Sequence, residues 1–140
     1  MLNQLKKNLK IISVSNKIYH SSSKLIIFPS ELNHLWFSKD KKINTDQAKL
    51  LYLGRIKEEK GIFSLLELVK NFKIDFKLSI VGGDKYLKRN SKITFFKQIS
   101  NQREIIKLYD RHNIFILPSY TEGAPKVLIE SLARLRPVII

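Results

Sequence analysis

The stretch KLLYLGRIKEEKGIFSLLELVKNF, residues 49–72, decides the architecture. Its first part, Leu50-Leu51-Tyr52-Leu53, is apolar without a break and too short for a buried helix. It reads as a buried strand halted by Gly54. Ile62, Leu65, Leu66, Val69 and Phe72 then recur every three or four positions, which predicts an amphipathic helix over residues 61–72. A strand, a polar turn and a helix in that order open a βαβ unit.

Working outward, residues 76–81 predict the next strand, ended by Gly82-Gly83, and residues 93–96 a short one. Asn101 with Glu104 resembles a capping box and starts a helix carrying Ile105, Ile106, Leu108 and Tyr109. Ile114-Phe115-Ile116-Leu117 is another buried run, stopped by Pro118, and Pro125 suits the first turn of a further helix. Pro137-Val138-Ile139-Ile140 begins one more strand. Apolar strands alternating with helices predict an α/β, Rossmann-like parallel sheet with helices on both faces. A sheet that stops part-way into a buried strand is expected to be incomplete. Upstream, Ile11-Ile12-Ser13-Val14 and Lys24-Leu25-Ile26-Ile27-Phe28 read as two strands joined through Ser21-Ser22-Ser23, and residues 38–48 as a loop. The expected division is a hinge and linker segment over 1–48 and a main domain over 49–140.

The composition narrows the classes. At 140 residues the chain is one domain's worth, with 44% hydrophobic and 27% charged residues as in globular proteins. Without cysteine there are no disulfides or thiolate metal sites. His20, His34 and His112 lack metal-ligand spacing, and no Asp-x-Asp pair is present to hold a divalent ion on a diphosphate. Gly-x-x-x-x-Gly-Lys, Gly-x-Gly-x-x-Gly and Gly-x-Ser-x-Gly motifs are also missing, which argues against a Walker-type phosphate loop, a dinucleotide turn and a hydrolase elbow. No apolar run is long enough to span a bilayer, and a cytoplasmic protein is expected. The formal charge is +14, from 26 basic and 12 acidic side chains, densest at Lys85, Lys88, Arg89, Lys92 and Lys97. Three readings of that excess stand: solvated lysines on polar faces, contact with the inner face of a membrane, or nucleic-acid binding. The missing interleaved aromatics count against the last.

Ligands of open parallel sheets bind beyond the carboxyl ends of the strands. That rule selects three loops: residues 54–61, Gly82-Gly83-Asp84, and residues 118–125. They bring Arg55, which can fork onto a phosphate, and Lys60, a point charge, to one edge. Glycines admit close backbone approach, a helix start favours phosphate, and Glu122 and Glu130 suit sugar or ribose hydroxyls. Taken singly each has a plainer reading. Arg55 and Lys60 could flank a surface turn, Gly82-Gly83 could be a tight turn, Glu122 could complement a helix dipole, and Glu130 could be a solvated helical residue.

In combination these residues resemble a known family. Tyr52-Leu53-Gly54-Arg55 followed by Glu59-Lys60-Gly61 is similar to the donor-phosphate motif of the family-4 retaining glycosyltransferases of the GT-B fold. Phe115-Ile116-Leu117-Pro118-Ser119 with Glu122-Gly123-Ala124-Pro125 through Glu130 resembles the segment holding that family's E-x7-E pair, here Glu122 and Glu130. Residues 49–140 carry the resemblance, with a weaker likeness to the hinge segment over 14–37. It implies a nucleotide-diphosphate-sugar donor and no metal cofactor. Arg55 and Lys60 would neutralise the diphosphate, Glu122 with the Gly123 and Ala124 backbone would meet the transferred sugar, and Glu130 the ribose. Gly54, Gly82 and Gly83 would lie at the nucleotide, although the family spaces its glycines as G.G here. The resemblance also implies a glycan or lipid-linked acceptor held by an N-terminal half that this chain lacks. Where the family has a glycine ahead of Pro-Val, this chain has Arg136.

Overall fold

The computed structural model describes residues 11–13, 25–27, 31–37, 46–83, 91–123 and 125–140. The expectations for Asp84, for Lys85, Lys88 and Arg89, for Ser21-Ser22-Ser23 and for Ala124 fall outside them. Two short strands, β1 (Ile11–Ser13) and β2 (Leu25–Ile27), pair in parallel as a sheet of their own. The main sheet holds β3 (Ala48–Leu53), β4 (Phe76–Val81), β5 (Ile93–Phe96), β6 (Ile114–Ile116) and β7 (Val138–Ile139). All pairings are parallel and the order is β5-β4-β3-β6-β7. Helices α1 (Ile62–Lys70), α2 (Gln102–Arg111) and α3 (Lys126–Ala133) supply the crossovers that parallel strands require.

Side-chain alternation along β3 builds a core on each face of the sheet. Leu50 and Tyr52 turn toward α1 and meet Ile62, Leu65 and Val69 together with Leu78, Ile80 and Phe95. Leu51 turns the other way, to Tyr109, Phe115 and Leu117, with Val127 and Leu128 of α3 packed alongside. The expectation of strands apolar throughout fails at the β5 edge, where Thr94 and Phe96 are exposed while Ile93 and Phe95 are buried. Among the described residues no helix covers one face of that edge.

The helix ends follow local chemistry. Asn101 caps α2, its side-chain oxygen accepting from the Arg103 and Glu104 amides at 2.9 and 3.2 Å. Pro125 stands at the N-cap of α3, one residue earlier than a first-turn proline. At the C-terminal end of α3 the left-handed backbone falls on Leu135 (φ 56°), and not on Arg136. Leu135 is therefore the position where a glycine would relieve strain.

Residues 31–37 join the second core although they precede the expected domain start. Trp36 is 3% exposed and lies edge-on to Tyr109 at 6.0 Å. Arg134 fixes this segment. Its Nη1 donates to the Trp36 carbonyl at 3.1 Å while Nε and Nη2 both donate to the Asp110 carboxylate at 3.0 and 2.7 Å. A buried guanidinium held this way is costly to remove, because its acceptors would stay behind without it.

Candidate functional site

The strand order reverses at β3. The chain moves outward through β4 and β5, then returns to lay β6 on the other side of β3. Loops leaving β3 and β6 therefore part at the middle of the sheet, where open parallel sheets form their ligand crevice. Gly61 lets the two loops close on each other. Its φ is 65°, and a Cβ there would lie 1.8 Å from the Pro118 carbonyl oxygen. The Tyr120 amide donates to the Glu59 carbonyl at 3.2 Å, and the Ser64 and Tyr120 hydroxyls bond to each other. Across this seam the Lys60 ammonium donates to Glu122 Oε1 at 2.6 Å.

Lys60 and Glu122, 62 positions apart in sequence, thus form one ion pair at the crevice, with side chains 21% and 23% exposed. Burial alone would raise the Glu122 carboxyl. The Lys60 hydrogen bond and the charges of Lys60 and Arg55 outweigh it and hold the group below the ordinary carboxylate range. Arg55 belongs to the same field but is loosely held, its side chain 67% exposed and 4.0 Å from Glu59. Its backbone is better fixed, since the Tyr52 hydroxyl donates to the Arg55 carbonyl at 2.8 Å. Burial first, then the Glu122 charge, pushes the Tyr52 phenol up to about 12. Arg55 and Lys60, expected to face a cleft, each meet a carboxylate. An arriving anion would have to compete for them, and Arg55 is the freer.

A cleft of about 190 Å³ opens at Arg55, lined also by Gly54, Val81, Gly82, Gln98 and Ile99 at the carboxyl ends of β3, β4 and β5. Gly82 shapes its floor: φ is 104°, and a Cβ would sit 2.3 Å from the Gly54 carbonyl oxygen. The amides of Gly54, Gly82 and Gly83 donate to Val81 and Phe96 carbonyls at 3.0–3.1 Å. These glycines therefore let the strand-end loops pack closely, and their N–H groups hold the loops together. Gln98 and Ile99 escaped the sequence reading, although they follow β5 and the same strand-end rule reaches them. Gly123 has open space where a Cβ would stand.

Glu130 stands apart from the Lys60–Glu122 pair, sharing no contact with it among the described residues. Its side chain is 7% exposed on the inner side of α3. Its Oε2 accepts from the Tyr109 hydroxyl at 3.3 Å, and its Oε1 lies 3.7 Å from Lys126 Nζ. Burial raises its carboxyl above the ordinary range against the pull of Lys126 and Tyr109. The plainer alternative for Glu130, a solvated helical residue, does not hold.

The family described as glycosyl transferases group 1 matches residues 36–140. A putative teichuronic acid biosynthesis glycosyltransferase, TuaC of Bacillus subtilis (strain 168), is 30% identical over 148 residues, covering 92% of this chain and 37% of that protein. The capsular polysaccharide biosynthesis glycosyltransferase CapM of Staphylococcus aureus is 30% identical over 115 residues, covering 70% of this chain and 29% of that one. Among solved structures, a sucrose-phosphate synthase from Thermosynechococcus elongatus shares the fold with a TM-score of 0.75 at 20% identity, over 98% of this chain and 42% of its own. The chain thus spans about a third of the length of the curated relatives it matches.

Proposed function

The chain belongs to the group 1 glycosyl transferases, and we propose that it forms the donor-binding unit of an enzyme that moves a sugar from a nucleoside diphosphate to an acceptor hydroxyl with retention of configuration. The observation that carries this reading is the Lys60–Glu122 pair closed across the switch point of the sheet, with Arg55 beside it. As the bond from the anomeric carbon to the diphosphate breaks, negative charge gathers on the leaving phosphate oxygen. Arg55 and Lys60 are the groups that stabilise it. Glu122, freed in part from Lys60 when the phosphate arrives, accepts hydrogen bonds from the sugar hydroxyls. Glu130 takes the ribose hydroxyls, and the cleft walled by Gln98 and Ile99 takes the base. Two cations at the leaving group supply the charge that a metal ion provides elsewhere, so no metal is required.

We assign the acceptor to cell-surface polysaccharide or glycolipid synthesis; the two curated relatives are named for teichuronic acid and capsular polysaccharide biosynthesis. An acceptor-binding half is expected outside these 140 residues, in the same protein or in a separate chain. A formal charge of +14 suits the anionic surface on which a lipid-linked acceptor is presented. Among the described residues no helix is long and apolar enough to cross a membrane.

Calorimetric titration of the 140-residue chain with UDP and GDP at low salt tests the reading. Binding of at least one is expected, and Arg55→Met and Lys60→Met should each weaken it about tenfold or more, as loss of a charge-assisted phosphate contact does. Arg55→Met should leave the melting temperature unchanged, because a half-formed surface ion pair contributes little. Binding unaffected by either substitution would sink the assignment. Purified chain alone is expected to bind and not to turn over.

A further inference from the structure

We propose that Tyr109 is a positioning residue for the donor site, its hydroxyl fixing the plane of the Glu130 carboxylate so that Oε1 is presented to the ribose. This rests on the assignment of Glu130 to the ribose. Tyr109 is fully buried, its ring set by Trp36 at 6.0 Å and Phe115 at 5.5 Å. An aromatic ring held on two sides cannot swing, so its hydroxyl is a fixed point. That hydroxyl meets two acceptors one turn apart on α3, the Val127 carbonyl at 3.0 Å and Glu130 Oε2 at 3.3 Å. One proton shared between them ties α2 to the helix that carries the carboxylate and occupies Oε2. Oε1 remains, with the half-exposed Lys126 at 3.7 Å as its neighbour.

The phenol cannot leave this role within the working range of pH. Burial, reinforced by the Glu130 charge and the hydrogen bond between them, raises it far above the ordinary tyrosine value, so it stays a donor. A carboxylate with one oxygen anchored has lost its rotation before a ligand arrives. Two vicinal ribose hydroxyls then find their acceptor oriented, and the ordering cost at binding is reduced.

Tyr109→Phe removes the hydroxyl and keeps the ring. Two measurements on the 140-residue chain read the effect: calorimetric affinity for UDP and GDP against their 2′-deoxy forms, and NMR titration of the carbon-13-labelled Glu130 carboxyl. Wild type should prefer the ribo form, and Glu130→Gln should erase that preference. Tyr109→Phe should cut the preference by about three- to tenfold while leaving the deoxy affinity unchanged. It should also raise the Glu130 midpoint, since a donor to the ionised form is gone. Equal loss of ribo and deoxy affinity would make Tyr109 merely structural and overturn the proposal, as would an unchanged preference. A wild type indifferent to the 2′-hydroxyl would instead remove the ribose assignment. The carboxyl midpoint would then decide whether the phenol holds Glu130 at all, an unmoved midpoint meaning that it does not.

Discussion

Replacing Gly61 by alanine tests the closure on which the site depends. The position combines a left-handed backbone (φ 65°) with a Cβ placed 1.8 Å from the Pro118 carbonyl oxygen, about half an ordinary contact distance. Neither atom is the free end of a flexible side chain, so relief requires the loop after β3 to move away from the loop after β6. The left-handed penalty for a non-glycine residue is about 1–2 kcal/mol, and forced backbone displacement adds about 1–3 kcal/mol. Stiffening of the unfolded chain by alanine gives back about 0.5 kcal/mol. A net loss of about 2–4 kcal/mol lowers the melting temperature of a chain this size by about 7–14 °C. Gly123→Ala is the control, with open space where its Cβ would go. Both variants are to be melted by circular dichroism and titrated with nucleoside diphosphate. Gly61→Ala should lose stability and binding together, since the displaced loop carries Lys60 away from Glu122, while Gly123→Ala should melt as wild type does. A Gly61→Ala midpoint within about 2 °C of wild type would refute the steric reasoning.

Leu135→Gly should stabilise the fold by about 0.5–1 kcal/mol, because the left-handed penalty at φ 56° exceeds what a half-exposed leucine gains; chemical denaturation measures it, and a loss would contradict the strain. Stability should fall on acidification in two stages. His112 comes first: burial lowers its affinity for protons, with Nδ1–H donating to the Leu108 carbonyl at 2.6 Å and Nε2 accepting from Ser79 at 2.7 Å. Below about pH 6.5 the unfolded chain then takes up a proton that the folded one refuses. Glu122 follows. Its folded carboxyl lies below the ordinary range, so the stability it contributes is present above the unfolded value near pH 4 and lost as pH falls through the folded one. Glu122→Gln should flatten the second stage and leave the first, and a denaturation series across pH that shows no change there would exclude the Lys60 pairing.

The fold was legible because its strands on β3 and β6 are buried on both faces, and continuous runs such as Leu50–Leu53 have few other uses. Glycines and prolines mark where those runs stop. Less legible was the β5 edge, where Thr94 and Phe96 sit among apolar neighbours yet face solvent. Local sequence does not say which strand ends at the border of a sheet. Trp36 lies in the segment expected to be hinge and linker, yet it is buried in the second core. Its place is set by Arg134, 98 positions later, and no local pattern announces a carbonyl that a distant guanidinium will bind.

The candidate site divides along the same line between local and distant causes. Lys60 and Glu122 could be brought to one edge in advance because the strand-end rule converts sequence order into position, but that they bond to each other could not. Glu130 obeys a different constraint. Helical spacing puts it on α3, but its burial depends on how α2 crosses that helix, from which the tyrosine at position 109 reaches it. Periodicity marks Tyr109 as one more apolar residue, and the hydroxyl that separates it from phenylalanine carries no period at all. A buried tyrosine oxygen needs a partner in the folded chain. Asking of each buried tyrosine which acceptor it will find would have turned attention to the carboxylates of α3. Tyr52 answers the same question with the Arg55 carbonyl, and so the two most buried phenols among the described residues each secure one half of the proposed donor site.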